Sequence, residues 1–234
     1  MAWIEHDYAD TGALTAAVAA QLREACAAAL QQRGHALLSL AGGRTPFPVY
    51  RALAANALDW AHVVAMPGDE RCVAHAHAAS NVAALREAFS AAQGLVVESL
   101  TVADGDPQAS LTHARTMLAS HAEAFDAVVL GMGEDAHTAS LFPGAEALQV
   151  AMAKDASEDA FLLVPHPLPP EAPFPRITLG LARLLRTRSL HLIVTGARKR
   201  DVLRAAQATH DPLRAPISAL LHAPDAVVHV HWSP

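Results

Sequence analysis

Apolar and polar positions follow two alternating rhythms along this chain. Residues 10–33 place Leu14, Val18, Leu22, Ala25 and Ala29 at helical spacing, with Asp10 or Thr11 able to cap the start and Gly34 suited to the end. Residues 35–40 are then an apolar run that predicts a strand. The succession recurs: a helix through Val49 and Leu53, a strand at 62–66, and a helix capped by Ser80 with Val82, Leu85 and Phe89 inward. A strand at 95–100 and a helix opened by Asp106-Pro107 follow, with Leu111 and Leu118 inward, and then a buried strand at 127–130. Residues 145–160 read as irregular, 161–165 as a short strand, and 166–175 as a Pro-rich surface loop. Residues 176–179 pair back antiparallel, a helix runs to about 186, and the last strong buried strand is 190–195, followed by a helix to about 208. Residues 226–232 alternate and read as an edge strand, with His229 and His231 on one face as surface or pairing residues.

Strands joined by crossovers of helical length predict an α/β fold. The expected architecture is a doubly wound, mostly parallel sheet with helices on both faces, plus a small antiparallel excursion near 161–179. The 234 residues, 52% of them hydrophobic, suit one α/β domain over 1–234.

Composition narrows the function classes. The net charge of −6 offers no basic surplus for nucleic acid or an anionic membrane. No apolar run approaches the ~20 residues of a membrane span, and the first residues lack the charge and apolar core of a secretory signal. Cys26 and Cys72 have neither metal-ligand spacing nor a disulfide framework, which fits a reducing compartment, so a cytoplasmic protein is expected.

Candidate chemistry gathers just after the strands, where open α/β sheets bind ligands. After 35–40 comes Ala41-Gly42-Gly43-Arg44-Thr45-Pro46, a Gly turn with a cation and a hydroxyl at a helix start, suited to phosphate and also to an ordinary turn. After 62–66 comes Asp69-Glu70-Arg71, which alone reads as a solvated turn. After 127–130 comes the richest stretch, Gly131-Met132-Gly133-Glu134-Asp135-Ala136-His137-Thr138-Ala139-Ser140, with a carboxylate and an imidazole beyond two glycines. After 190–195 comes Gly196-Ala197-Arg198-Lys199. Gly131-Met132-Gly133 lacks the third glycine of a dinucleotide fingerprint and does not follow the first strand, so a nucleotide-dependent dehydrogenase fits poorly.

Taken together and in order, these loops, with Ser80-Asn81, Leu141-Phe142-Pro143 and Arg176-Ile177-Thr178, resemble the 6-phosphogluconolactonase family over most of the chain. The resemblance implies a hydrolase of 6-phospho-D-glucono-1,5-lactone in the oxidative pentose phosphate pathway, with no cofactor and no metal. The implied partner is a small sugar-phosphate lactone, without nucleic acid or membrane, on a monomer or weak homo-oligomer. It also implies roles: His137, Asp135 and Arg71 in catalysis, and Gly42, Gly43, Arg44, Thr45, Asp69, Arg176 and Lys199 in holding the substrate and its phosphate. Three positions depart from the family pattern. Ala136 stands where Gly is usual, so the turn is expected to differ slightly because alanine reaches positive φ less readily. Arg44 stands where Ser is common, and Gly68 where an aromatic or hydrophobic residue precedes Asp-Glu-Arg.

Lactone hydrolysis needs an activated water, a stabilised oxyanion and a proton for the departing ring oxygen. An imidazole titrates in the right range to give and take that proton, which makes His137 the candidate base and Asp135 its candidate orienter. Arg71, and more weakly Arg176, offer directional donors for the oxyanion. Two rival readings remain. A glucosamine-6-phosphate deaminase usually has Tyr after Asp-Glu and an Asn-Glu-Pro segment after the histidine turn, where this chain has Arg71 and Leu141-Phe142-Pro143. A non-catalytic sugar-phosphate sensor would bind without turnover.

Overall fold

A computed structural model describes residues 3–166, 168, 172–224 and 226–234. In chain order the elements are β1 (Trp3–Asp7), α1 (Thr11–Arg33), β2 (Ala36–Leu40), α2 (Phe47–Ala54), β3 (Val63–Pro67), β4 (Asp69–Arg71), α3 (Asn81–Ala88), β5 (Val96–Val97) and α4 (Pro107–Ser120). They continue with β6 (Ala127–Gly131), α5 (Leu148–Ala151), β7 (Ala160–Leu163), β8 (Arg176–Leu179), α6 (Leu181–Leu185), β9 (Leu190–Thr195), α7 (Ala197–Ala208), α8 (Ile217–Leu221) and β10 (Val228–Ser233).

The main sheet has seven strands in the order β1-β10-β9-β6-β2-β3-β5, all parallel. One face packs α1, α2 and α3 around Val18, Leu22, Val49, Leu53 and Leu85. The other packs α4, α7 and α8 around Leu118, Leu203 and Leu220. The doubly wound α/β expectation therefore holds. β7 and β8 pair antiparallel as expected, and β4 joins them to make a second, three-stranded sheet in the order β4-β8-β7.

Helix starts follow their side chains. Asp10 accepts from the Ala13 N–H at 2.7 Å, Ser80 from Ala83 at 3.3 Å and Asp106 from Ala109 at 2.8 Å. Each such cap contributes about 1 kcal/mol. Gly34 closes α1 at φ 78, a conformation that costs glycine nothing.

Several expectations are corrected. β1 was not foreseen; its half-exposed Trp-Ile-Glu-His-Asp carries no clean alternation, and it pairs with β10 at the far end of the chain. β1 takes the edge, so residues 226–232 are not an edge strand: β10 lies between β1 and β9. His231 is buried and His229 half-buried, in a stack with His6 and His191 across three strands. The strand at 95–100 shrinks to Val96–Val97, the two residues that pair with Val64 and Ala65 of β3, and past it Ser99 Oγ takes the Thr101 N–H at 3.1 Å in a local bond that competes with ladder pairing. Residues 145–160, read as irregular, contain α5. The 166–175 loop lies partly outside the described residues. Finally, α1 is long and apolar enough in composition to match a membrane span, against the expectation that no run approaches one. Much of that apolarity is alanine, and Leu14, Val18, Leu22 and Cys26 are buried in the core.

Candidate active site

β9, β6, β2 and β3 are consecutive in the sheet, so their four following loops meet at one end. From β2 the chain winds toward β3 and β5; from β6 it winds the other way, toward β9 and β10. The reversal falls between β2 and β6, where doubly wound sheets open a crevice. A cavity of about 370 Å3 lies there, lined by Gly42, Gly43, Arg44, Thr45, Asp69, Arg71, Asn81, His137, Arg176 and Lys199 among others. All the residues predicted for substrate binding, and His137 and Arg71, thus share one wall system; Asp135 reaches it through His137.

The glycine loop has a specific steric demand. A Cβ on Gly42 would lie 2.1 Å from Asn81 Oδ1, so only hydrogen fits. Asn81 Nδ2 in turn donates to the Asp69 carbonyl at 2.7 Å, tying the loop to β4. Gly43 turns the chain at φ 97 and exposes Arg44 just ahead of α2.

Asp69-Glu70-Arg71 is not the solvated turn its composition suggested. It is β4, held by β8, with Asp69 and Glu70 buried. Glu70 accepts from the N–H groups of Arg71 at 2.7 Å, Asn81 at 2.8 Å and Val82 at 2.6 Å, and from Ser80 Oγ at 3.2 Å. Burial pushes its carboxyl up, and those N–H bonds pull it back. It is a structural anchor for the start of α3 and hence for Asn81. Asp69 Oδ2 accepts from Ser140 Oγ at 2.5 Å, which fastens β4 to the histidine turn.

Arg71 stands directly opposite Arg176 across the β4–β8 pair. Arg176 is 4% exposed. Burial lowers its basicity, and the Asp69 carboxylate works against that. Arg71 gives Nη1 to the Ala79 carbonyl at 2.6 Å, and Arg176 gives Nη2 to that of Ala172 at 2.9 Å. Two cations side by side on one sheet face repel, and this arrangement favours an anion between them.

The turn after β6 brings Asp135 and His137 together. Asp135 Oδ1 lies 2.5 Å from His137 Nδ1 and 3.2 Å from the His137 N–H. Ala136 makes this possible by adopting φ 63, the left-handed conformation a glycine would take freely. The Ile217 N–H holds its carbonyl at 3.1 Å. Burial would raise the Asp135 carboxyl, but the hydrogen bond and charge of His137 outweigh it and leave it lowered. The ionised carboxylate only accepts, so in the neutral form of the ring the His137 proton sits on Nδ1 and Nε2 keeps its lone pair. The ring stacks on Phe142, centroids 4.2 Å apart.

Lys199 lies in the first turn of α7 and lines the cavity. Arg198, which the sequence left open, is 86% exposed and pairs with Glu134 instead. The supporting roles of Asn81, Ser140, Phe142 and Glu70 were not foreseen. Ser80-Asn81 and Phe142 stand in the matching segments, so position in the motif was their signal.

The family model described as glucosamine-6-phosphate isomerases/6-phosphogluconolactonase matches residues 9–232. A 6-phosphogluconolactonase of Pseudomonas aeruginosa is 35% identical, covering 94% of this chain and 89% of its own. One from Neisseria meningitidis is 30% identical over 99% of both chains. The crystal structure of a 6-phosphogluconolactonase from Shewanella baltica superposes with a TM-score of 0.92 at 30% identity, covering 99% of this chain and 97% of that one. The crevice between β2 and β6, the paired Asp135 and His137, and these full-length matches lead to one assignment: the chain belongs to the glucosamine-6-phosphate isomerase/6-phosphogluconolactonase family, as an enzyme of the 6-phosphogluconolactonase kind.

Proposed function

We propose that the protein hydrolyses 6-phospho-D-glucono-1,5-lactone to 6-phospho-D-gluconate, with His137 as general base. The observation that carries this reading is the Asp135–His137 pair at 2.5 Å, beside a cavity lined by Arg44, Arg71, Arg176 and Lys199. The 6-phosphate docks on the Gly42–Gly43–Arg44–Thr45 loop, where N–H groups and a hydroxyl meet the charges of Arg44 and Lys199. That grip, remote from C1, positions the reacting carbonyl. Asp69 accepts a substrate hydroxyl through the carboxylate oxygen that Ser140 leaves free.

His137 Nε2 takes a proton from water as its oxygen bonds to C1. The carbonyl oxygen becomes an oxyanion facing Arg71 and Arg176. The C1–O5 bond then breaks, and the imidazolium returns its proton to the ring oxygen. The new carboxylic acid ionises in water. Asp135 holds the tautomer and offsets the charge on the imidazolium. These steps use no cofactor. The whole chain works as one domain in this reading, since the site draws on residues from Gly42 to Lys199 and on both sheets.

The test is hydrolysis of freshly generated lactone, with the spontaneous rate subtracted. Clear acceleration is expected, and His137→Ala is expected to lower kcat at least ~10²-fold. A near-wild-type kcat in the variant would exclude His137 as the base. Binding of the phosphosugar without any acceleration would exclude the hydrolase reading.

A further inference from the structure

A second cavity, of about 510 Å3, adjoins the first and shares Arg71, His137 and Arg176 with it. Its remaining walls include His77, Phe142 and Phe174. Nothing in the hydrolysis above fills it. Three donors border it. Arg71 and Arg176 each commit one Nη to a loop carbonyl. The other Nη of each bonds nothing among the described residues and is not buried. His77 Nδ1 accepts the Ala79 N–H at 3.0 Å, so the neutral ring carries its proton on Nε2. The His77 ring meets Phe174 edge-on at 5.3 Å, which joins the loops before α3 and before β8 over the arginine pair.

Both chambers meet at His137, where C1 sits in the proposed reaction. Before ring opening C1 is a neutral carbonyl tied to O5. Afterwards it is a carboxylate on a freely rotating chain, still anchored by its phosphate in the first cavity. We infer that the second chamber is a subsite for the carboxylate of the open-chain aldonate product, recognised by Arg71, Arg176 and the Nε2–H of His77. The inference rests on the reaction proposed above. Its effect is to draw the new anion away from His137 Nε2 and to make the enzyme hold its product more tightly than its uncharged-end counterpart.

The test compares 6-phosphogluconate with glucitol 6-phosphate, the same chain with an alcohol in place of the carboxylate, by calorimetry on the intact protein. The wild type is expected to bind 6-phosphogluconate at least ~10-fold more tightly, the scale of a charge-assisted bond. His77→Ala, a change at an exposed residue, is expected to narrow that ratio at least ~3-fold. It should leave glucitol 6-phosphate binding within ~2-fold, since that ligand has no carboxylate to lose a partner. Equal binding of the two ligands by the wild type, or an unchanged ratio in the variant, overturns the subsite. Binding of neither ligand overturns the subsite, while the reaction stands or falls on the lactone assay. A carboxylate preference that depends on His77, in a protein that does not hydrolyse lactone, supports the subsite and removes only the reaction.

Discussion

Gly133→Ala is the sharpest single perturbation of the proposed base. A Cβ at position 133 would stand 2.2 Å from His137 Nδ1, 2.3 Å from Cε1 and 2.4 Å from Asp135 Oδ1. Carbon contacts settle near 3.5 Å, so the methyl must drive the ring and the carboxylate back by ~1 Å. Both atoms belong to one 2.5 Å hydrogen bond, so relief of either contact disturbs the bond. The ring cannot retreat far, because Phe142 stacks at 4.2 Å. The backbone itself tolerates the change: Gly133 is not among the residues at positive φ, and its N–H bond to the His137 carbonyl needs no side chain. Asp135 is half-exposed and can swing into solvent. The variant should therefore fold, with a stability loss below about 2 kcal/mol. An ångström of misplacement costs about 10²-fold in rate. The expected outcome in the background-corrected lactone assay is a kcat lowered ~10²-fold with KM within ~3-fold, because the phosphate loop is untouched. A kcat within threefold of wild type, in a variant that melts normally, would refute the argument that the Asp135–His137 geometry drives the step.

Other expectations follow from the same geometry. Lys199→Ala should raise KM with little change in kcat, because in the proposed binding mode it removes a point charge from the phosphate; steady-state kinetics would refute this with an unchanged KM. Gly42→Ala must displace the Asn81 side chain from 2.1 Å and release the Asp69 carbonyl, so KM for the phosphosugar should rise at least ~10-fold; unaltered substrate affinity would count against a loop shaped by that contact. The buried histidines predict acid lability. Burial first, and neighbouring imidazoles second, push His191 down to about 3 and His231 to about 2. In the unfolded chain both take protons near 6.5. Their neutral forms thus support the fold fully above that pH, and each costs about 1.4 kcal/mol per pH unit as pH falls from there toward the folded values. Thermal melts between pH 7 and pH 4.5 should show a steep fall in Tm that His191→Asn makes shallower; a flat profile would refute it.

The parts of the fold that were legible in the sequence are those governed by local signals. The buried runs of β2, β6 and β9 and the caps Asp10, Ser80 and Asp106 state themselves within a few residues. The glycine turns could be read the same way, because a backbone that needs special conformations calls for special residues. β1 and β4 were not legible. Their stability comes from partners far along the chain, β10 and β8, and nothing in Trp-Ile-Glu-His-Asp or Asp-Glu-Arg announces those partners. The site divides the same way. His137, Asp135 and Arg71 have reactive side chains beside glycines and can be picked out. Asn81, Ser140 and Glu70 matter through contacts that bridge separate loops, such as Ser140 Oγ on Asp69, 71 positions apart. Glu70 looked like an exposed acid and is instead a fully buried one, because four hydrogen-bond donors surround it.

The same turn that holds His137 also concentrates backbone strain, and that bears on how the proposed base is positioned. Ala136 and Ala139 sit at φ 63 and φ 47, where a non-glycine residue costs about 1–2 kcal/mol. Such strain persists only where the surroundings over-determine the conformation. Here they do: Ile217 N–H fixes the Ala136 carbonyl, Gly133 N–H fixes the His137 carbonyl, Thr138 Oγ1 bonds the Gly131 carbonyl at 2.9 Å, and Ser140 is tied to Asp69 and Thr178. A glycine at position 136 would remove one source of strain and also widen the conformations open to the turn. With alanine, the chain accepts that cost, and the buried Ala136 methyl packs into the core beneath the turn. Strain and bracing together fix the backbone from which Asp135 and His137 project, which is what the proposed base needs if it is to meet its water in one geometry.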